Sequence, residues 1–496
     1  MNPTIVFGVL VSYFAVLIAI AQITSRNARS TTFFNADRQS PWYLVAFGMI
    51  GASLSGVTFI SIPGAVLVRS FGYFQIVLGY VAGYVAIALV LMPLYYRLNL
   101  ISIYTYLENR FGRYTYKTGA LFFLLSRTIG TAFRLFLAVE ALQIGLFGAW
   151  GFPFWLTTAI SIALIWLYTF RGGIKTIVWT DTFQTTFLLL ALFAAIFFMK
   201  QDLGWSVGKL ISEIKQSSLS QIFFWDNFAE NKNHFIKQFF AGMFIAIAMT
   251  GLDQDLMQKN LTCKNLQEAQ KNMFSFVVVL VLVNFVFLVM GALLYLYADA
   301  QNIALPSKAG KIITDQVYPV LAFEHFGVVA SIAFLLGITA ATYASSDSAL
   351  ASLTTSFCID FLGLTKKDKE EKQAKNTVRI VHFGFSVVLL LIVVIFEQVR
   401  NAYPQINIIG ALFQAAGYTY GALLGLFAFG ITTKRTLHDK LVPFICVICP
   451  IIAFLVQQNS TAWGYTFGDE LIIFNGLLNY LGLWLISKPI NIARKK

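Results

Sequence analysis

Two long apolar stretches of this chain are broken in their middles. One break reads Gly51-Ala52-Ser53-Leu54-Ser55-Gly56, inside a stretch from Trp42 to Val68; the other reads Thr250-Gly251-Leu252-Asp253-Gln254-Asp255, inside a stretch from Phe235 to Met257. A bilayer offers no hydrogen-bond partners to main chain released from a helix, so such breaks survive only against protein or a watery cavity. A matched pair in two halves of a polytopic chain is the best sequence pointer to the binding site of a secondary transporter.

The remainder of the chain fits a membrane setting. It is 58% hydrophobic and 12% charged over 496 residues, and it repeats apolar windows long enough to cross a bilayer. About thirteen spans are predicted, at 4–24, 43–68, 72–97, 118–148, 152–170, 176–199, 235–257, 273–298, 326–361, 377–397, 405–430, 440–457 and 468–487. The first has neither a basic leader nor a small-residue cleavage site and reads as a retained helix. The net charge of +13 is carried mainly by alternate loops, among them Arg97, Arg110, Arg113 and Lys117, then Lys259, Lys264 and Lys271, then the run from Lys366 to Arg379. That alternation places the N-terminus outside and the C-terminus in the cytoplasm. The basic excess is therefore topology, and no nucleic-acid partner is expected. The segment 365–376 reads as a solvated connector.

The spans group as one leading helix (4–24), five (43–199), five (235–430) and two (440–487). Each group of five opens on a broken span, and the second starts after an odd number of crossings. This is the pattern of an all-α, LeuT-like five-plus-five inverted repeat in a single transporter domain covering 1–496. The four cysteines and four histidines assemble no catalytic or metal cluster, so neither an enzyme nor a cofactor is expected.

Charges inside spans are costly and mark function. They are Arg127, Arg134 and Glu140 in the fourth span, Asp181 in the sixth, Asp253 and Asp255 at the second break, and Asp347 in the ninth. The ninth span reads Thr339-Ala340-Ala341-Thr342-Tyr343-Ala344-Ser345-Ser346-Asp347-Ser348, and positions 341, 344, 345 and 348 share one helical face. Hydroxyls there, with carbonyls freed at the first break, can furnish the oxygen shell of a hard cation. The competing explanation is that small residues simply let helices pack closely.

Five motifs in order give the chain its resemblance to a known family. They are Ser55-Gly56 with Pro63-Gly64; Gly172-Gly173-Ile174-Lys175 with Thr180-Asp181-Thr182-Phe183-Gln184; Gly251-Leu252-Asp253-Gln254 with Gln258-Lys259; the ninth span ending Cys358-Ile359-Asp360; and Tyr420-Gly421-Ala422-Leu423-Leu424-Gly425. Together they resemble the sodium:solute symporters over nearly the whole length. The resemblance implies sodium as coupling ion, held by carbonyls of Gly51, Leu54 and Ala341 and by hydroxyls at positions 344 and 345. Ala344 departs from that pattern, leaving Ser345, with Ser346 one place on.

Some members of the family carry a second cation site, which falls here on Asp181, Ser345, Asp347 and Ser348. The competing explanation is that either acid pairs with Arg127 or Arg134. Sialic acid carriers of the family hold a carboxylate with an arginine on the fourth span, so Arg127 or Arg134 is a candidate ligand for an anionic solute, the alternative being an ion pair to Asp253 or Asp255. Gln75, Asp253, Gln254 and Gln414 complete the candidate solute ligands. The expected protein is a sodium-coupled symporter of a small polar solute in the cell membrane, with an anionic solute the preferred reading. A proton-coupled carrier and a transport-like sensor are the alternatives, and oligomeric state is not legible.

Overall fold

In a computed structural model, residues 3–25, 36–308, 310–364, 371–403 and 406–489 are described. Part of the basic series used for topology, including Arg26, Arg29, Lys366, Lys367, Lys369 and Arg494, lies outside them. The chain is a bundle of helices: α1 (Pro3–Ser25), α2 (Trp42–Ser53), α3 (Gly56–Arg69), α4 (Tyr73–Ala86), α5 (Arg113–Gly145), α6 (Phe154–Asp202), α7 (Phe235–Ala246), α8 (Gln254–Asn260), α9 (Leu266–Ala300), α10 (Thr314–Glu324), α11 (Gly327–Ser356), α12 (Glu371–Ala402), α13 (Ile408–Thr432), α14 (Val442–Ser460) and α15 (Leu471–Leu485). Among the described residues, nine helices are long and apolar enough to cross a membrane, or up to ten if the bent pair 235–251 and 254–260 is one span, and three shorter apolar helices accompany them.

Burial explains why so apolar a chain is stable. On α14, Phe444, Val447, Ile451 and Leu455 are exposed, an outward apolar face of the kind that suits a lipid surrounding. The inner helices reverse the pattern. From Ser345 to Ser348 every residue of α11 is buried, although three are serines and one is an acid. This helix packs most extensively on α6, which also receives α1 and α2, while α7 packs on α4 and α13 on α15.

Both breaks are present in the backbone. Helix α2 ends at Ser53; Leu54 leaves the helix at φ −83°, ψ 77°, and Ser55 is fully extended before α3 begins. At the second, α7 widens into one loose turn over Ile247–Gly251, Asp253 adopts φ −105°, ψ 124°, and α8 departs at 69°. The side chain of Asp253 caps α8 by accepting from the amide of Asp255 at 2.8 Å. Within α6 the spans read as 152–170 and 176–199 are two helices, Phe154–Thr169 and Gly173–Asp202, divided at Gly173, whose φ of 52° and ψ of −142° are non-helical, a conformation that glycine adopts without steric cost.

Candidate functional site

The two breaks differ in what happens to their freed main chain. At the second, tyrosines take up the carbonyls: Tyr95 donates to Gly251 O at 2.8 Å and Tyr104 to Leu252 O at 2.9 Å, while the hydroxyls of Tyr84 and Thr250 meet at 3.2 Å. At the first, the recorded side-chain bond runs to an amide, from Gly51 N to Thr185 Oγ1 at 3.0 Å. No side-chain donor reaches the Leu54 carbonyl among the described residues. Carbonyls at one break are thus quenched, and those at the other keep free lone pairs.

The first break faces α6 and α11 at close range. A Cβ on Gly48 would sit 3.0 Å from that of Asp181, and one on Gly51 or Gly56 would overlap the hydroxyl oxygen of Thr185 or Thr342 respectively. Thr342 and Ser346 are buried, four residues apart on one face of α11, and their hydroxyls lack a partner. Ser345 turns its hydroxyl back to the Thr342 carbonyl at 2.9 Å, and Ala341 and Ala344 are fully buried beside it. The oxygen-rich face of α11 therefore includes Thr342, which the 341-344-345-348 pattern passes over; its spacing from Ser346 was the available signal.

Two buried charge clusters flank this region. Lys259 of α8 donates to Asp181 Oδ2 at 2.5 Å, both side chains being shut off from solvent, and Asp181 Oδ1 has no partner. Asp347 accepts from the Tyr168 hydroxyl at 2.9 Å and from the amide of Ser348. In the second cluster Arg127 pairs with Asp255 and lies 3.8 Å from Asp253; Asp255 also accepts from Ser348, and Asp253 from Tyr420. The acids at 181 and 347 are thus not partners of Arg127 or Arg134. Arg127 follows the ion-pair alternative. Tyr168 came from no motif, and Lys259, although part of one, was not read as the partner of Asp181, because these contacts run across more than 70 residues of sequence.

A cavity of about 80 Å³ lies between the breaks, lined among others by Ser53, Leu54, Thr58, Tyr84, Thr250 and Arg134. Arg134 is buried, makes no hydrogen bond or ion pair within the described residues, and leaves its Nε without an acceptor. The three glutamines read as solute ligands lie elsewhere. Gln75 donates to Gly72 O and Asn233 O and accepts from Phe224 N, tying down the segment that precedes α7. Gln254 accepts from Ile103 N and donates to Ile101 O, fixing the backbone at 101–103 to α8. Gln414 is exposed on α13. Glutamines between spans satisfy loop backbone as readily as a solute, and sequence does not separate the two uses.

The architecture matches a solved structure of a sodium-coupled sialic acid symporter in a substrate-bound outward-open state, with a TM-score of 0.81 and 18% identity over 98% of this chain and 99% of that one. A second match, TM-score 0.53 at 15% identity over 92% and 94%, is the nucleobase-cation symporter Mhp1 in a closed conformation. Among curated proteins, the chain is 23% identical to the sodium/sialic acid symporter NanT of Aliivibrio fischeri, over 96% of this chain and 92% of that one. It is 26% identical to the sodium-coupled monocarboxylate transporter 1 of Mus musculus, over 88% and 68% respectively. The profile of the sodium:solute symporter family matches residues 33–439. With its broken helices, its buried hydroxyl-bearing partner helix and this match, the chain belongs to the sodium:solute symporter family and is a multi-pass, sodium-coupled transporter working by alternating access.

Proposed function

We propose that this symporter imports a small solute bearing a carboxylate, read by Arg134. The observation that carries this reading is the unpaired guanidinium in the cavity between the breaks. A buried charge without a partner is costly, and a bidentate anion removes that cost while gaining two directed hydrogen bonds. Arg127 is unsuited to the role because Asp253 and Asp255 already hold it. The similar proteins point the same way, since sialic acid and monocarboxylates share that group.

Sodium is assigned to the first break, with carbonyl oxygens of Gly51, Leu54 and Ala341 and the hydroxyl of Ser345 as ligands. The contrast between the two breaks supports this: tyrosines occupy the carbonyls at the second, and nothing comparable reaches Leu54 at the first. An ion there ties α2 and α3 to α11 and favours the conformation that receives solute; solute in turn raises sodium affinity by the same factor. Asp181, Asp347 and Ser348 form the second cation site of this reading, with Asp181 Oδ1 the oxygen left free beside Lys259. The N-terminus faces outside and the C-terminus the cytoplasm, in the cell membrane.

The test is transport by the purified chain in proteoliposomes. A panel of sialic acid, short monocarboxylates, neutral sugars and zwitterionic amino acids is offered with a sodium gradient or with choline. Sodium-dependent uptake confined to carboxylates, abolished by Arg134→Met, is expected. Uptake of a neutral sugar that survives Arg134→Met would overturn the assignment.

A further inference from the structure

Asp255, at the second break, shares its carboxylate between two other helices: it pairs with Arg127 of α5 and accepts the hydroxyl of Ser348 of α11. The contacts continue on the far side of the arginine, through Asp253 at 3.8 Å to the phenol of Tyr420 on α13. Every member of this series is at most 2% exposed. One end lies on α11 three residues past Ser345, hence on nearly the same face. The other end borders a small cavity of about 10 Å³ that Arg127, Arg134 and Tyr420 line together, and that shares Arg134, Met249 and Leu412 with the larger cavity.

We propose that Asp255 is a positioning residue for ion coupling, transmitting the placement of α11 to the arginines beneath the solute cavity. The inference rests on the reading of α11 as the sodium-bearing helix. Its carboxylate has two charge-assisted contacts pulling from different helices. Such bonds are about twice as strong as neutral ones and fix geometry as well as charge. When an ion draws α11 toward the first break, Ser348 moves with it. Asp255 either follows or gives up that hydroxyl, and Arg127 is then redistributed between Asp255 and Asp253. Arg134, seven residues along α5, lies in the field of both Arg127 and Asp253, so its hold on an anion changes with that redistribution. The Lys259–Asp181 pair offers no such route, since among the described residues neither side chain makes a hydrogen bond or ion pair to a residue lining the cavity.

A shared route is established by non-additivity rather than by adjacency. The full chain in detergent is titrated with sodium chloride against choline chloride at constant ionic strength, and the sodium concentration giving half of the sodium-specific rise in unfolding temperature is read. Tyr420→Phe, remote from the ion, is made in the wild-type and Asp255→Asn backgrounds. It is expected to shift half-saturating sodium roughly three- to tenfold in the first and less than about twofold in the second. Equal shifts in both backgrounds, or none in the first, would overturn the proposal. Should Asp255→Asn fail to fold, Ser348→Ala breaks the same joint from α11 and carries the same expectation. A role in stability alone moves unfolding in choline and leaves half-saturating sodium where it was. A wild-type chain with no sodium-specific stabilisation would overturn the sodium reading and this inference with it.

Discussion

Lys259 Nζ lies 2.5 Å from Asp181 Oδ2, joining the short helix α8 to α6 through a pair that solvent does not reach. Either partner alone would be a buried, uncompensated charge. Lys259→Met or Asp181→Asn is therefore expected to destabilise the fold by about 3–5 kcal/mol, and the two together by much less. Unfolding midpoints of both single variants and the double variant, in sodium-free detergent, measure this. A double variant as unstable as the worse single one would show that the pair is not the source of the loss.

The two arginines of α5 should respond in opposite senses to the same change. Arg127 neutralises two acids, so Arg127→Met strands them and lowers the unfolding midpoint. Arg134 makes no ion pair or hydrogen bond within the described residues, so Arg134→Met removes an unpaired buried charge. The expected result is a midpoint equal to or above wild type together with lost uptake, the trade between stability and activity seen where a site is held ready for a ligand. Thermal unfolding and solute uptake on the same preparations decide it.

Gly56 leaves no room for a methyl group, because the Thr342 hydroxyl occupies that space. Gly56→Ala is expected to cost about 1–3 kcal/mol through overpacking and to raise half-saturating sodium. Adding Thr342→Ala relieves the clash, so the double variant should regain stability without regaining sodium affinity if that hydroxyl also serves the ion. Regained affinity would remove Thr342 from the ion's surroundings.

Ala344 offers a gain rather than a loss. It is fully buried on α11 next to Ser345, at a position where the resemblance drawn from the sequence implies a hydroxyl. Ala344→Ser adds an oxygen without changing the helix and is expected to lower half-saturating sodium about threefold, since site affinity follows the number of oxygen ligands. Uptake measured against sodium concentration tests it. No change would place residue 344 outside the ion's shell.

The breaks were legible because their cause is local: glycines and polar residues at bilayer depth announce main chain that lipid cannot serve. The kink at Gly173 was legible for a related reason, as a paired glycine between two apolar runs. The partners of the buried charges were not. An ion pair to Asp253 or Asp255 was open for either arginine, yet nothing local says that Arg127 rather than Arg134 takes it, and nothing near Asp181 indicates Lys259, since these choices depend on how helices over 70 residues apart come to lie side by side. Gln75 and Gln254 show the same boundary from the other direction. A glutamine in an apolar setting signals that something polar must be met, and only the folded chain reveals that loop backbone meets it.

The extended conformation of Ser55 has a consequence for how such a protein varies over time. Oxygens supplied by peptide groups are indifferent to the identity of the side chains that carry them. Under the proposed sodium assignment, residues 52–55 can therefore drift in composition without losing oxygens offered to the ion, provided the chain keeps its local path, whereas Gly51 is held to glycine by the Thr185 hydroxyl against it. Inheritance at this place would act on shape, and the sharpest way to disable it is a residue that forces the segment back into regular coil.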